Sequence, residues 1–187
     1  MMKVSNAAEM VTLPSSIIDN TIENAKWKDL HQSNTDLRPE LTLKMGQCFN
    51  WRELKAFHNG NSDRYWIGTV NKFVIAIKQT PLTTYYAHLN PNYDSYNETE
   101  VVTTFIHSYF QLDCNMRSLY SKWAAGCPRM KVITEILPGV RILRQDPWEC
   151  LVSFICSSNN NIKRISLMLE RLRFHYGKYI CTISYNR

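Results

Sequence analysis

The chain has 187 residues, 44% hydrophobic and 12% aromatic, with only 6 glycines and 7 prolines. That is enough apolar material for one full domain, or a small domain with part of a second, and it excludes a disordered or collagen-like chain. Lys and Arg number 22 against 16 Asp and Glu, a net charge of +6, and the longest aliphatic and aromatic run, Phe73-Val74-Ile75-Ala76-Ile77, is far short of the roughly 18 residues of a membrane span.

Residues 1–26 are polar and lack sustained periodicity. They read as a loose N-terminal extension with at most a short helix near Ile17–Ala25, and order is expected from Trp27. From Leu41 to Tyr86 the texture is β. Leu41–Lys44 and Gln47–Leu54 are candidate strands broken at Met45-Gly46. Arg64–Val70 and Lys72–Gln79 are rich in strand formers, and Asn71 marks a tight connection between them. Asn59-Gly60 is a hairpin signal, and Leu82–Tyr86 adds a further strand. Together they predict an antiparallel sheet with alternating faces.

After Pro91 the period changes. Val101, Phe105, Ser108, Tyr109 and Leu112 fall at helical spacing. Leu119–Ala125 and Pro128–Leu137 predict two more helices, the second stopped by Leu137-Pro138-Gly139. Asp146-Pro147-Trp148-Glu149 is a helix start, with Asp146 as cap, Pro147 at the first helical position and Glu149 where a capping box wants it. The helix through Leu151, Phe154 and Ile155 is nearly apolar and is expected to be buried. It ends at Ser157-Ser158-Asn159-Asn160. A second helix starts near Asn161, with Ile162, Ile165, Leu169 and Leu172 on one side and Lys163, Arg164, Arg171 and Arg173 on others. Gly177 is its expected stop.

Charge is uneven along the chain. Residues 1–127 hold 12 Lys and Arg and 12 Asp and Glu, whereas residues 128–187 hold 10 and 4. A basic third beside a neutral remainder points to a polyanion, most often nucleic acid, against the plainer reading of a solvated helix face. The six cysteines, at 48, 114, 127, 150, 156 and 181, form no Cys-x-x-Cys pair and no metal-ligand spacing, so a reducing, intracellular setting and no metal are expected. In that setting the sequon Asn97-Glu98-Thr99 is a chance match.

The chemistry-bearing candidates are few. Short Asn side chains in the Ser157–Asn161 turn could enter a base pair, and the following helix N-terminus with Arg164 could hold a phosphate. A simple cap and turn explains the same residues. His31 and His58 read as surface histidines, Asp146 and Glu149 as capping residues. Ser157-Ser158 lacks the setting of a nucleophile elbow.

Two strings go further. Leu143-Arg144-Gln145-Asp146-Pro147-Trp148-Glu149-Cys150-Leu151, continuing through Ser153-Phe154-Ile155-Cys156-Ser157-Ser158-Asn159-Asn160-Asn161-Ile162-Lys163-Arg164-Ile165, closely resembles the eukaryotic 8-oxoguanine DNA glycosylases. Gly46-Gln47-Cys48-Phe49-Asn50-Trp51-Arg52 resembles that family's Gly-Gln-x-Phe-x-Trp segment, and Tyr109-Phe110-Gln111-Leu112-Asp113 with Leu119-Tyr120 and Trp123 fits in order. The resemblance runs over about residues 27–177.

The resemblance implies an α+β fold: an N-terminal antiparallel sheet domain with helices over 27–142, then, from 143, the start of an all-helical domain with a helix-hairpin-helix. It implies excision of 8-oxoguanine opposite cytosine by base flipping, attack of a lysine amine on C1′, and strand nicking by β-elimination. Gly46 matches the glycine whose carbonyl accepts the N7–H of the lesion base. Asn159 matches the asparagine that fills the vacated space, and Arg164 an arginine that reads the unpaired cytosine. The nucleophilic lysine and its aspartate are expected beyond Arg187, so no catalytic residue is assigned. Leu137-Pro138-Gly139-Val140 is not the hairpin, because Arg141 stands where its second glycine belongs. No cofactor is implied. The partner implied is duplex DNA holding 8-oxoguanine paired with cytosine, met by a monomer if the chain is complete, in the nucleus with the mitochondrion as the alternative. The alternative expectation is a non-catalytic damaged-DNA-binding or interaction fragment.

Overall fold

The structure, a computed structural model, describes residues 2–6, 22–58, 61–90 and 96–185. Its elements in chain order are β1 (Met2–Asn6), a 3-10 turn (Ile22–Asn24), β2 (Lys28–Asp29), α1 (Pro39–Thr42), β3 (Trp51–His58), β4 (Asn61–Val70), β5 (Phe73–Gln79) and β6 (Thr84–His88). The helical half follows with α2 (Tyr96–Tyr109), α3 (Met116–Gly126), α4 (Pro128–Ile136), α5 (Pro147–Ser157) and α6 (Ile162–Tyr176), and β7 (Cys181–Tyr185) ends it.

The unbroken apolar run at Phe73–Ile77 lies in β5, the middle strand of an antiparallel sheet ordered β2-β6-β5-β4-β3. A strand covered on both faces has no polar face to alternate with. Phe73, Ile75 and Ile77 join Trp66, Tyr86, Val102, Ile106 and Phe110 in one core, between the sheet and α2. Val74 and Ala76 face the other way, into a second core with Tyr65, Ile67 and Ala87. That second core is closed by Ile22, Cys181 and Ile183.

The α+β expectation therefore holds, with four corrections at its edges. Met2–Asn6 is not loose: it pairs in parallel with β7, from Met2 opposite Cys181 to Asn6 opposite Tyr185. β7 thus leaves the helices and forms a separate two-stranded sheet with β1 against the second core, so the 143–187 segment is not all helical. Leu41–Lys44 is not a strand. Pro39 sits at the start of the short helix α1, and a ring-locked φ there favours a helical turn over a ladder. The strand expected over Gln47–Leu54 begins only at Trp51.

The hairpin expected at Asn59-Gly60 lies outside the described residues, although its flanks His58 and Asn61 are paired across β3 and β4. Of the short helix expected near Ile17–Ala25, residues 17–21 also lie outside them, and Ile22–Asn24 forms the 3-10 turn. Asn71 takes φ +56° in the connection between Val70 and Phe73, as a tight turn requires. The three middle helices stand within a few residues of their predicted ends. No described helix is long and apolar enough to cross a membrane.

Candidate nucleic-acid interface

Gly46 ends the turn that follows α1, at φ +82°. Only glycine adopts that conformation without strain. A methyl group there would stand 3.4 Å from Ile162 Cδ1, on the first residue of α6. The Gly46 turn thus lies against the base of the Asn-rich turn, 116 residues downstream in sequence.

Gln47 holds this turn to α1 and to residues 141–145. Its Nε2 donates to the carbonyls of Thr42 at 2.8 Å and Arg141 at 2.9 Å. Its Oε1 accepts the Leu143 amide at 3.0 Å, and its own carbonyl accepts Gln145 Nε2 at 2.5 Å. The amide side chain is spent entirely on backbone, which fixes the turn against the strap 141–145.

Arg141 anchors that strap and is 3% exposed. Its Nε donates to the Asp36 carbonyl at 2.6 Å, and its Nη1 to the carbonyls of Gln111 at 2.6 Å and Cys114 at 3.3 Å. Burial draws its pKa down from the usual arginine range, opposed by the nearby Cys114, Asp36 and Tyr120 groups. Its fork of donors suits three carbonyls that one ammonium could not satisfy together.

The Asn-rich turn divides its labour. Asp146 caps α5, accepting the Glu149 amide at 2.9 Å as expected. Asn161 caps α6, accepting the Arg164 amide at 3.0 Å. Asn160 donates to the Cys156 carbonyl at 2.9 Å. The cap-and-turn reading therefore accounts for Asn160 and Asn161. Asn159 is left exposed, at φ +47°. Arg164 is exposed one turn into α6, beside Lys163. Of the basic last third, Arg141 is interior, Arg173 is bound to Glu149, and Arg144 reaches Ser108. Lys163, Arg164 and Arg171 face solvent.

Two expectations about this hairpin need correction. α5 is not buried: only Ser153 and Cys156 are, while Trp148, Leu151, Phe154 and Ile155 are exposed. An apolar helix needs cover on every side, and the described residues cover one. Glu149 is not a capping-box side chain. It accepts Arg173 Nη2 at 2.6 Å instead. Gln47, Glu149 and Arg173 are the residues that sequence reasoning missed, since the partners that tie them across the fold lie 24 to 124 residues away.

Cys48 lies beneath the Gly46 turn. Burial pushes its thiol up to about 12, with the Glu149 carboxylate adding to the rise and Tyr109 and Arg173 opposing it. The folded state therefore keeps the proton that the unfolded thiol loses near pH 9, so this contribution to stability is complete below pH 9 and is lost as pH rises toward 12. At pH 8, Cys48 is expected to react with a thiol reagent at least about 100-fold more slowly than exposed Cys150, because the thiolate is the nucleophile. Mass mapping of labelled peptides checks it; equal rates would show the turn open.

No group of three or more His, Cys, Asp or Glu that could hold a metal occurs among the described residues. What the arrangement offers is a rigid glycine turn beside an exposed asparagine and exposed cations.

Residues 29–151 match the family model described as 8-oxoguanine DNA glycosylase, N-terminal domain. The chain is 30% identical over 158 residues to the N-glycosylase/DNA lyase OGG1 of Arabidopsis thaliana, covering 81% of this chain and 40% of that protein. To the N-glycosylase/DNA lyase of Saccharomyces cerevisiae it is 35% identical over 159 residues, covering 84% and 41%. The fold is similar to that of the Clostridium acetobutylicum 8-oxoguanine glycosylase/lyase in complex with double-stranded DNA containing cytosine opposite 8-oxoguanine. There the TM-score is 0.60 at 25% identity, over 78% of this chain and 47% of that one. The chain spans about two fifths of the length of the curated relatives it matches. A family model that covers most of the sheet and reaches into α5, over a fold with the same likeness, shows that this chain belongs to the 8-oxoguanine DNA glycosylase family.

Proposed function

We propose that this chain is the lesion-reading portion of an 8-oxoguanine DNA N-glycosylase/AP lyase acting in base-excision repair. One observation carries the reading: the left-handed Gly46 turn rests on Ile162, at the foot of the turn that presents Asn159. In this reading the Gly46 carbonyl accepts the N7–H of the flipped 8-oxoguanine. Guanine has no hydrogen at N7, so the contact separates lesion from base. Asn159 enters the space that the flipped nucleotide leaves, and Arg164 reads the edge of the orphaned cytosine. Lys163 and Arg171 neutralise phosphates, so affinity falls as salt rises. Attack on C1′ is assigned to the part of the relatives' length that this chain does not span. Residues 1–187 taken alone are proposed to bind the lesion duplex without releasing the base. We assign its action to the nucleus, with the mitochondrion as the alternative.

The test is a titration of residues 1–187 with labelled duplexes, read by anisotropy. Tighter binding to 8-oxoguanine·cytosine than to guanine·cytosine is expected, without base release. Removing one good base-edge contact costs about 1–3 kcal/mol, so Arg164→Met should cut the preference for cytosine opposite the lesion by about tenfold. Equal affinity for both duplexes in the wild type sinks the reading, and base release sinks the claim that the chain does not excise.

A second reading, a non-catalytic interaction fragment, is favoured by the bare face of α5, where Trp148 is 72% and Phe154 75% exposed. Apolar patches of this kind mark interfaces. Self-association in sedimentation, abolished by Trp148→Glu with Phe154→Glu, supports it; a monodisperse monomer opposes it.

A further inference from the structure

The helical hairpin α5–α6 has little to hold it. Its own core is Cys156, Ile165 and Leu169, with Phe49 and Val152 packed alongside. Phe49 belongs to the segment that leads from Gly46 into β3. At the open end of the hairpin, Arg173 in the last turn of α6 bridges two other pieces. Its Nη1 donates to the Phe49 carbonyl at 3.0 Å and its Nη2 to Glu149 Oε1 at 2.6 Å. Glu149, in the first turn of α5, also receives Asn50 Nδ2 at 3.5 Å. Asn50 in turn donates to the Thr69 carbonyl of β4 at 2.8 Å.

We propose that Arg173 and Glu149 form a clamp that locks the Gly46 segment to the α5–α6 hairpin, and that Arg173 is a positioning residue for recognition of the base opposite the lesion. The selectivity half of this inference rests on the function proposed above.

The geometry is that of a lever. From Ile162 to Arg173 the helix rises about 17 Å at 1.5 Å per residue, so the clamp lies at the far end from the Asn159 turn. Gln47 fixes the Gly46 segment to α1 and the 141–145 strap. Arg173 fixes the hairpin to the same segment. With both in place, the distance between the Gly46 carbonyl and the Asn159 and Arg164 side chains is set by the Arg173 hydrogen bonds at one end and the packing of Gly46 on Ile162 at the other. Without Arg173, the small apolar cluster remains as a pivot, with only the long Asn50–Glu149 contact and the exposed Arg52–Glu170 pair beside it. A tilt of a few degrees about it would move the Asn159 turn by an ångström or so, enough to spoil a contact that depends on hydrogen-bond geometry. The pair is also sheltered, with side chains 32% and 26% exposed, so it is not the kind of fully solvated ion pair that contributes nothing measurable. The nearby exposed pair Arg52–Glu170, at 46% and 55% exposed, is the natural control.

The experiment compares wild-type chain with Arg173→Met, Arg173→Lys, Glu149→Gln and, as control, Arg52→Met. Amide exchange is followed by mass spectrometry over 47–51 and 148–152, with β5 as internal standard. Lesion-duplex binding is measured with cytosine and with adenine opposite 8-oxoguanine. Loss of charge-assisted hydrogen bonds should speed exchange in both segments by about tenfold in Arg173→Met, with β5 unchanged. Glu149→Gln should follow it, Arg173→Lys should recover part, and Arg52→Met should do nothing. The cytosine-over-adenine preference should fall about fivefold or more in Arg173→Met, with the same order among variants. Unchanged exchange, or exchange that rises equally in β5, overturns the clamp. Local loosening with an unaltered preference overturns the positioning role. If the wild type shows no cytosine preference, the function and the selectivity half fall together, and the exchange data alone still decide whether the clamp exists.

Discussion

Replacing Arg141 with methionine should unfold the junction between the sheet domain and the helices. The substitution keeps most of the buried stem and removes only the guanidinium. Three carbonyls, those of Asp36, Gln111 and Cys114, then lose their donor in a site that water reaches poorly. An unsatisfied buried polar group costs about 1–3 kcal/mol, so a loss of about 3 kcal/mol or more is expected, a large share of the stability of a domain this size. Arg141→Lys should recover little, because one ammonium cannot reach carbonyls on two separate loops. Urea midpoints measure the loss. Limited proteolysis should show new cleavage at 32–36 and 111–115 before elsewhere. A variant within about 0.5 kcal/mol of wild type, the range of an ordinary surface substitution, would mean that those carbonyls find other donors.

The consequence reaches the interface. The Arg141 carbonyl accepts Gln47 Nε2, and the Arg141 amide donates to Thr42 Oγ1 at 3.3 Å. A strap that loses its anchor loosens the Gly46 turn without any change in the residues that touch DNA.

Gly68→Ala is the second large effect. Gly68 in β4 stands opposite Trp51 in β3. The Trp51 ring lies flat across it, so an added Cβ would come within 2.5 Å of Trp51 Cδ2 and 2.7 Å of Cε3. The ring cannot simply move away. Its Nε1 donates to Tyr109 Oη at 3.0 Å, and it packs against Phe110 with centroids 6.3 Å apart. Overpacking of this kind costs about 1–3 kcal/mol or more. The diagnostic is a double-mutant cycle. In a Trp51→Ala background, Gly68→Ala should become neutral or slightly stabilising, because alanine suits a strand better than glycine once the ring is gone. Equal costs in both backgrounds would show that the ring is not what requires the glycine. In the intact chain the same change should disturb Tyr109 and Cys48, which meet beneath the Gly46 turn.

Much of the fold is legible in the sequence because its signals are local. Asp146 with Pro147 starts α5, Asn161 starts α6, Asn71 turns β4 into β5, and Gly46 stands at a positive φ that a non-glycine residue would resist. Each depends on a few neighbouring atoms. The family strings around Gly46 and Asn159 are also local, and they named the candidate residues.

What the sequence could not determine depends on long-range packing. Phe73–Ile77 reads as apolar in any case, but only the sheet order makes it a strand buried on both faces. Leu41–Lys44 has strand composition, yet Pro39 and the carbonyl partners of Thr42 and Gln47 draw it into a helical turn. Met2–Asn6 and Cys181–Tyr185 have no reason to meet until the outer face of the sheet needs cover. Glu149 could cap its own helix, and tertiary structure gives it Arg173 instead. A cap or turn is decided by the backbone's own unsatisfied groups within one turn of helix. A partner 24 or 94 residues away is decided by which surfaces fold together, and no local spacing encodes that.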